Sequence, residues 1–124
     1  MGYRSNVFFA IAGELDALEA FLAAARLMPE FNLVFTEFAI KRARYEERAV
    51  FVIQGCWKHY ETYPEVVALE AFWAHAHADE EHLDGVYIIV GEDPGDMSRR
   101  YFGSGGELAS ISASIDSHVT FDAT

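Results

Sequence analysis

The stretch Asn6-Val-Phe-Phe-Ala-Ile-Ala12 decides the fold. Its apolar side chains occupy both alternations, and a strand carries such a pattern when both of its faces are covered. The stretch therefore predicts a strand in the middle of a sheet. Beyond Gly13, the residues Leu15, Leu18, Phe21, Leu22 and Ala25 recur at helical spacing. Glu14, Asp16 and Glu19 lie near the start and Arg26 near the end, each matching the helix dipole, so a helix is expected over 14–28 with Pro29 helping to stop it. From Phe35 to Tyr45 the pattern reads as a strand. Lys41, Arg42 and Arg44 crowd its second half, as edge strands do to discourage further pairing. Ala49 to Ile53 is again apolar on both alternations and should pair with that edge through a turn at Glu46 and Glu47.

A second helix is signalled by Thr62-Tyr63-Pro64-Glu65 and expected over 63–79: Thr62 can cap, Pro64 suits the first turn, and Val66, Leu69, Phe72, Trp73 and Ala76 form its core stripe. Gly85 to Val90 reads as another buried strand, Gly91 to Asp96 as a loop, and Arg99 to Phe102 as the start of a short strand. Ile111, Ala113, Ile115, Val119 and Phe121 then alternate with Ser112, Ser114, Asp116, His118, Thr120 and Asp122, the pattern of a strand with one wet face. The order β-α-β-β-α-β, with one or two further strands, is the split βαβ plan of ferredoxin-like domains. The expected class is α+β, a single domain over 1–124 with an antiparallel sheet and two helices on one face.

Composition bounds the function. A length of 124 residues with 52% hydrophobic side chains suits one domain with one core. No apolar run approaches the roughly 18 residues of a membrane span, which points to a soluble protein. A single cysteine, Cys56, excludes an intrachain disulfide; with no charged-then-apolar leader, the chain reads as a protein of a reducing interior. Cys56 itself is expected to be buried and inert. Twenty acidic against nine basic residues give a net charge of −11, which opposes direct binding to nucleic acid or to anionic membranes. Nearly all of the excess sits in residues 59–98, where ten carboxylates meet no lysine or arginine, while residues 1–58 are neutral. An acidic face complementary to a basic partner is one reading and simple solubility the other.

His75, Asp79 and His82 fall at i, i+4 and i+7, so a continuous helix would put three metal-ligating side chains on one face. A helix that stops near Asp79 would break that set. Asp79, Glu80 and Glu81 would oppose the dipole at a helix C-terminus, and an early stop removes that conflict too. Trp57, Tyr60 and Tyr63 recur every three residues; aromatics of this kind anchor interfaces, and they also close the rims of cores. There is no phosphate-binding loop, dinucleotide fingerprint, CxxC pair or nucleophile elbow.

The opening Met1-Gly-Tyr-Arg-Ser5, the stretch Trp57-Lys-His-Tyr-Glu-Thr-Tyr-Pro-Glu-Val66 and the segment Gly85-Val-Tyr-Ile-Ile-Val-Gly-Glu-Asp-Pro-Gly-Asp96 resemble small acidic ferredoxin-like accessory proteins of tailed bacteriophages and prophages. That resemblance implies an anti-defence protein of the anti-CRISPR or anti-restriction kind, without turnover or cofactor, acting in the cytoplasm of a bacterial host. The expected partner is a host defence nuclease or CRISPR effector complex with a basic surface. The expected contact residues are Trp57, Tyr60, Glu61, Tyr63, Glu65, Asp79, Glu80, Glu81, Glu92, Asp93 and Asp96. The alternatives are a small metal-binding protein or hydrolase using His75, Asp79 and His82, and a phage structural component that self-associates, for instance as a homodimer, through an edge strand.

Overall fold

The computed structural model describes residues 4–45, 47–92, 95 and 97–103. The fold is α+β: among the described residues five strands form one antiparallel sheet, and three α-helices accompany it. Strand β1 (Ser5–Glu14) leads into helix α1 (Leu15–Arg26), a 3-10 turn at Pro29–Phe31 and helix α2 (Asn32–Glu37). Strands β2 (Ile40–Tyr45) and β3 (Arg48–Trp57) form a hairpin, followed by helix α3 (Pro64–His77) and strands β4 (Leu83–Val90) and β5 (Met97–Phe102). The sheet order is β2-β3-β1-β4-β5, consistent with a ferredoxin-like class. No helix among the described residues is long and apolar enough to cross a membrane.

The central strand is the one whose sequence is apolar on both alternations. β1 pairs with β3 on one side, Phe9 opposite Ile53, and with β4 on the other, Phe9 opposite Tyr87. Directly paired residues share a face. One face joins Val7, Phe9 and Ile11 to Ala49, Phe51, Ile53, Leu83, Tyr87 and Phe102, and it packs against Leu18, Phe21 and Leu22 of α1 and Leu69, Phe72 and Trp73 of α3. The other face buries Phe8, Ala10, Ala12, Val50, Val52 and Val86 in a separate cluster of strand residues. Edge strand β2 places Arg42 over the helix side, where it pairs with Glu19 of α1.

Several expectations are corrected. The segment from Phe35 is helical before it is extended: Phe31, Val34, Phe35 and Phe38 fall at i, i+3, i+4 and i+7, and helix α2 uses that spacing to bury Val34 and set Phe35 edge-on to Phe51 and Phe72. Pro29 does not end α1, which stops at Arg26; it opens the 3-10 turn. Thr62 does not cap α3. Pro64 occupies the first helical turn and holds its predecessor extended, so Tyr63 becomes the cap residue, with no side-chain bond. Helix α3 ends at His77, and Asp79, Glu80 and Glu81 lie beyond its C-cap residue, Ala78, instead of inside the helix. The alternating segment from Ile111 to Phe121 lies outside the described residues.

Gly85 shows how closely the elements approach. A β-carbon there would collide with the ring of Phe102, which is buried against Trp73, with ring centroids 4.8 Å apart, and stacked on His77 at 5.0 Å. Gly85→Ala should cost about 1–3 kcal/mol by forcing Phe102 out of place. Urea unfolding of Gly85→Ala, Phe102→Ala and the double variant should show a strong favourable coupling, the glycine substitution costing little once the ring is gone.

Candidate recognition site

The connection from β3 to α3 carries the distinctive side chains, and the local sequence explains their placement. Trp57 ends β3 on the helix side, and its ring lies across Gly55, where any β-carbon would meet it. Phe38, just after α2, packs on the same indole with centroids 5.1 Å apart. The chain then turns, the Tyr63 N–H donating to the Tyr60 carbonyl at 3.0 Å, and the two tyrosine rings meet edge to face at 5.2 Å. An open cleft of about 550 Å³ results, lined by Arg4, Glu37, Phe38, Ala39, Gln54, Gly55, Cys56, Trp57, Lys58, Tyr63 and Glu65. Cys56 is exposed in it, contrary to its expected burial: it stands opposite Asn6 at the end of the sheet, on the alternation opposite Trp57.

Behind the cleft runs a directional chain of hydrogen bonds. The Trp57 indole N–H can only donate, and it donates to His59 Nδ1 at 2.8 Å. Neutral His59 therefore keeps its proton on Nε2, which lies 2.6 Å from the Tyr87 hydroxyl. Tyr87 is fully buried, and its hydroxyl also interacts with Glu70 of α3. Arg100 of β5 donates to both Glu70 carboxylate oxygens at 2.7 Å and lies 4.2 Å over the Tyr87 ring.

The electrostatics follow from this arrangement. The hydrogen bond from Arg100 holds the Glu70 carboxyl below its usual range. Burial, reinforced by the Glu70 charge, holds the Tyr87 hydroxyl protonated far above its ordinary range. Burial also lowers the pKa of His59, opposed by Glu70 and assisted by Arg100. This arrangement positions an aromatic surface and keeps the buried phenol neutral.

The expected contact residues do not all meet. Trp57, Tyr63 and Glu65 line the cleft, Tyr60 packs against Tyr63, and Glu61 follows Tyr60 in the same connection before α3. Glu92 joins them at the end of β4, accepting the Arg4 N–H at 2.8 Å. Asp79, Glu80 and Glu81 lie past the other end of α3, roughly 20 Å away for a helix of 14 residues. Asp93 and Asp96 lie outside the described residues. Among the described residues, two of the carboxylates counted in the acidic stretch are paired with arginines distant in sequence, Glu70 with Arg100 and Asp84 with Arg48. The metal set is also separated. His75 stacks on Phe21 and Phe31 at 5.4 and 5.2 Å, whereas His82 pairs with Asp79 at 2.8 Å beyond the helix. Among the described residues no three His, Cys, Asp or Glu side chains stand where they could hold a metal ion.

Sequence reasoning did not identify Arg4, Glu37 and Phe38 as cleft residues, or the roles of His59, Glu70, Tyr87 and Arg100. One signal was present: a tyrosine inside the apolar run Gly85 to Val90 needs a buried partner for its hydroxyl.

His59 gives this network a pH signature. A histidine whose folded pKa lies below its ordinary value contributes stability above that ordinary value, and the contribution is lost as pH falls through the folded pKa. Stability should therefore decline below about pH 6.5, and His59→Gln should flatten that decline. His82, raised by Asp79, acts in the opposite sense and is common to both proteins. Urea unfolding across the acid range checks the difference.

Comparison of the chain with protein-family models, with curated proteins and with solved structures returns no match.

Proposed function

We propose that this is a non-catalytic binding protein of ferredoxin-like fold, with α1 and α3 on one sheet face, which inhibits a nucleic-acid-binding complex by occupying a basic surface on it. In line with the resemblance to phage accessory proteins, the target is a defence nuclease or CRISPR effector of a bacterial host, and inhibition is steric and electrostatic. One observation carries the reading: Trp57, Tyr63 and Glu65 line an open cleft, and the Tyr60 ring packs against Tyr63 beside it. Aromatic anchors within a charged rim are the usual composition of a protein-binding hot spot.

The division of the acidic residues sharpens the proposal. Glu61, Glu65 and Glu92 share the aromatic end, so the contact is placed there; Asp79, Glu80 and Glu81 serve solubility. Rim charges act on the association rate and its salt dependence more than on the fold.

The test is retention of a host protein from bacterial lysate on the immobilised chain at low and high salt, together with plating of a targeted phage on defended cells that express it. The proposal expects retention that is lost at high salt and plating that is restored. Glu61→Lys with Glu65→Lys should reduce both by at least about tenfold, and Trp57→Ala with Tyr63→Ala should abolish them. Asp79→Lys with Glu80→Lys should leave both intact. Equal losses from the two charge sets would refute the localised site.

A further inference from the structure

The aromatic wall of the cleft hangs on a bond that a single proton can break. The Trp57 indole N–H donates to His59 Nδ1 at 2.8 Å, and an indole N–H cannot accept in return. An imidazolium carries a proton on both ring nitrogens. Once Nδ1 is protonated, two donors face each other across that distance and the bond is lost. The other side of the imidazole is fixed. Nε2 lies 2.6 Å from the Tyr87 hydroxyl, and the Tyr87 ring is clamped edge-on by Phe9 and Trp73 at 5.1 and 5.6 Å.

We propose that His59 is a pH-operated latch on the Trp57 indole, holding the ring in the cleft wall while neutral and releasing it when Nδ1 takes up a proton. The groups around the imidazole set which partner moves. Glu70 of α3 favours the cation, Arg100 of β5 opposes it, and Tyr87 of β4 stays a neutral phenol. Glu70 also interacts with the Tyr87 hydroxyl, so its attraction draws the imidazolium towards Tyr87 and away from the indole. Trp57 is the last residue of β3, kept in place otherwise by the Phe38 ring at 5.1 Å and by its seat over Gly55. The indole, and not the core tyrosine, is therefore the member that swings free. Burial holds His59 below its ordinary range, so release belongs to acid pH. That release weakens partner binding in acid is a consequence resting on the reading of the cleft as the recognition site; the latch itself needs no partner.

The test is an NMR titration of the full chain alone, from neutral to acid pH, following the His59 ring nitrogens, both indole N–H signals and the cross-peaks between aromatic rings. The Trp57 indole signal should shift with the same midpoint as the His59 ring, below about 6.5. Cross-peaks between the Trp57 and Phe38 rings should vanish in that step, while the Trp73 indole signal and the Phe9–Tyr87 cross-peaks persist. His59→Gln supplies an amide oxygen that accepts from the indole and does not titrate, so its Trp57 signals should stay constant over the same range. Four results would overturn the latch: a His59 ring that titrates with the indole still in place, a ring that never titrates while the protein is folded, loss of the Trp73 and Phe9 signals in the same step, or acid release that persists in His59→Gln. Should that variant fail to fold, the titration of the unaltered chain decides alone. Because no partner is present, failure of the latch and failure of the recognition site are read separately.

Discussion

The ring of Phe9 is the contact on which the rest depends. It sits on the middle strand, 0% exposed, and meets Phe51 of β3, Phe72 and Trp73 of α3, and Tyr87 of β4 at centroid distances of 6.5, 5.9, 5.8 and 5.1 Å. Three of these four contacts are edge-on, the arrangement that aromatic quadrupoles favour. One side chain thus ties both neighbouring strands to the long helix. Phe72 extends the mesh to Phe21, Phe31 and Phe35, which brings in α1 and the helical segment after it.

The polar chain grows from that mesh. Tyr87 packs its ring against Phe9 and turns its hydroxyl to His59 and Glu70, so the apolar core sets the position of the polar network. Glu70 and Arg100 then join α3 to β5 by a two-pronged ion pair. Breaking such a partly buried pair by removing one partner costs more than the pair itself contributes, because the other charge is left behind. At the far end of the chain the bond from Trp57 to His59 holds the indole in the cleft wall. The aromatic surface proposed for recognition is therefore a rigid extension of the core, which lowers the entropy lost when a partner binds.

The central strands were legible because residues 6–12 and 49–53 are apolar on both alternations, and only an inner strand explains that. The edge position of β2 was legible from Lys41, Arg42 and Arg44. Helix α2 was missed because Phe31, Val34, Phe35 and Phe38 are β-prone residues whose spacing is helical, and over six residues the two periods are hard to separate. The acidic stretch looked like one surface because charge was counted along the chain. Folding sends Glu61 and Asp79 to opposite ends of α3 and places Glu70 and Asp84 against arginines distant in sequence. The aromatic triplet was legible as a group, but its hydrogen-bonded support was not, since Tyr87 and Arg100 reach it only through the sheet.

The most direct test of this account is the protonation state of the His59 ring at neutral pH, read from the nitrogen-15 spectrum of the folded protein. A Trp57 N–H that can only donate requires an unprotonated Nδ1, and burial beside Tyr87 favours the neutral ring. The account predicts a neutral imidazole with its proton on Nε2, coupled to the Tyr87 hydroxyl. A proton on Nδ1, or a charged imidazolium at pH 7, would contradict the directional chain and with it the rigid support proposed for the cleft.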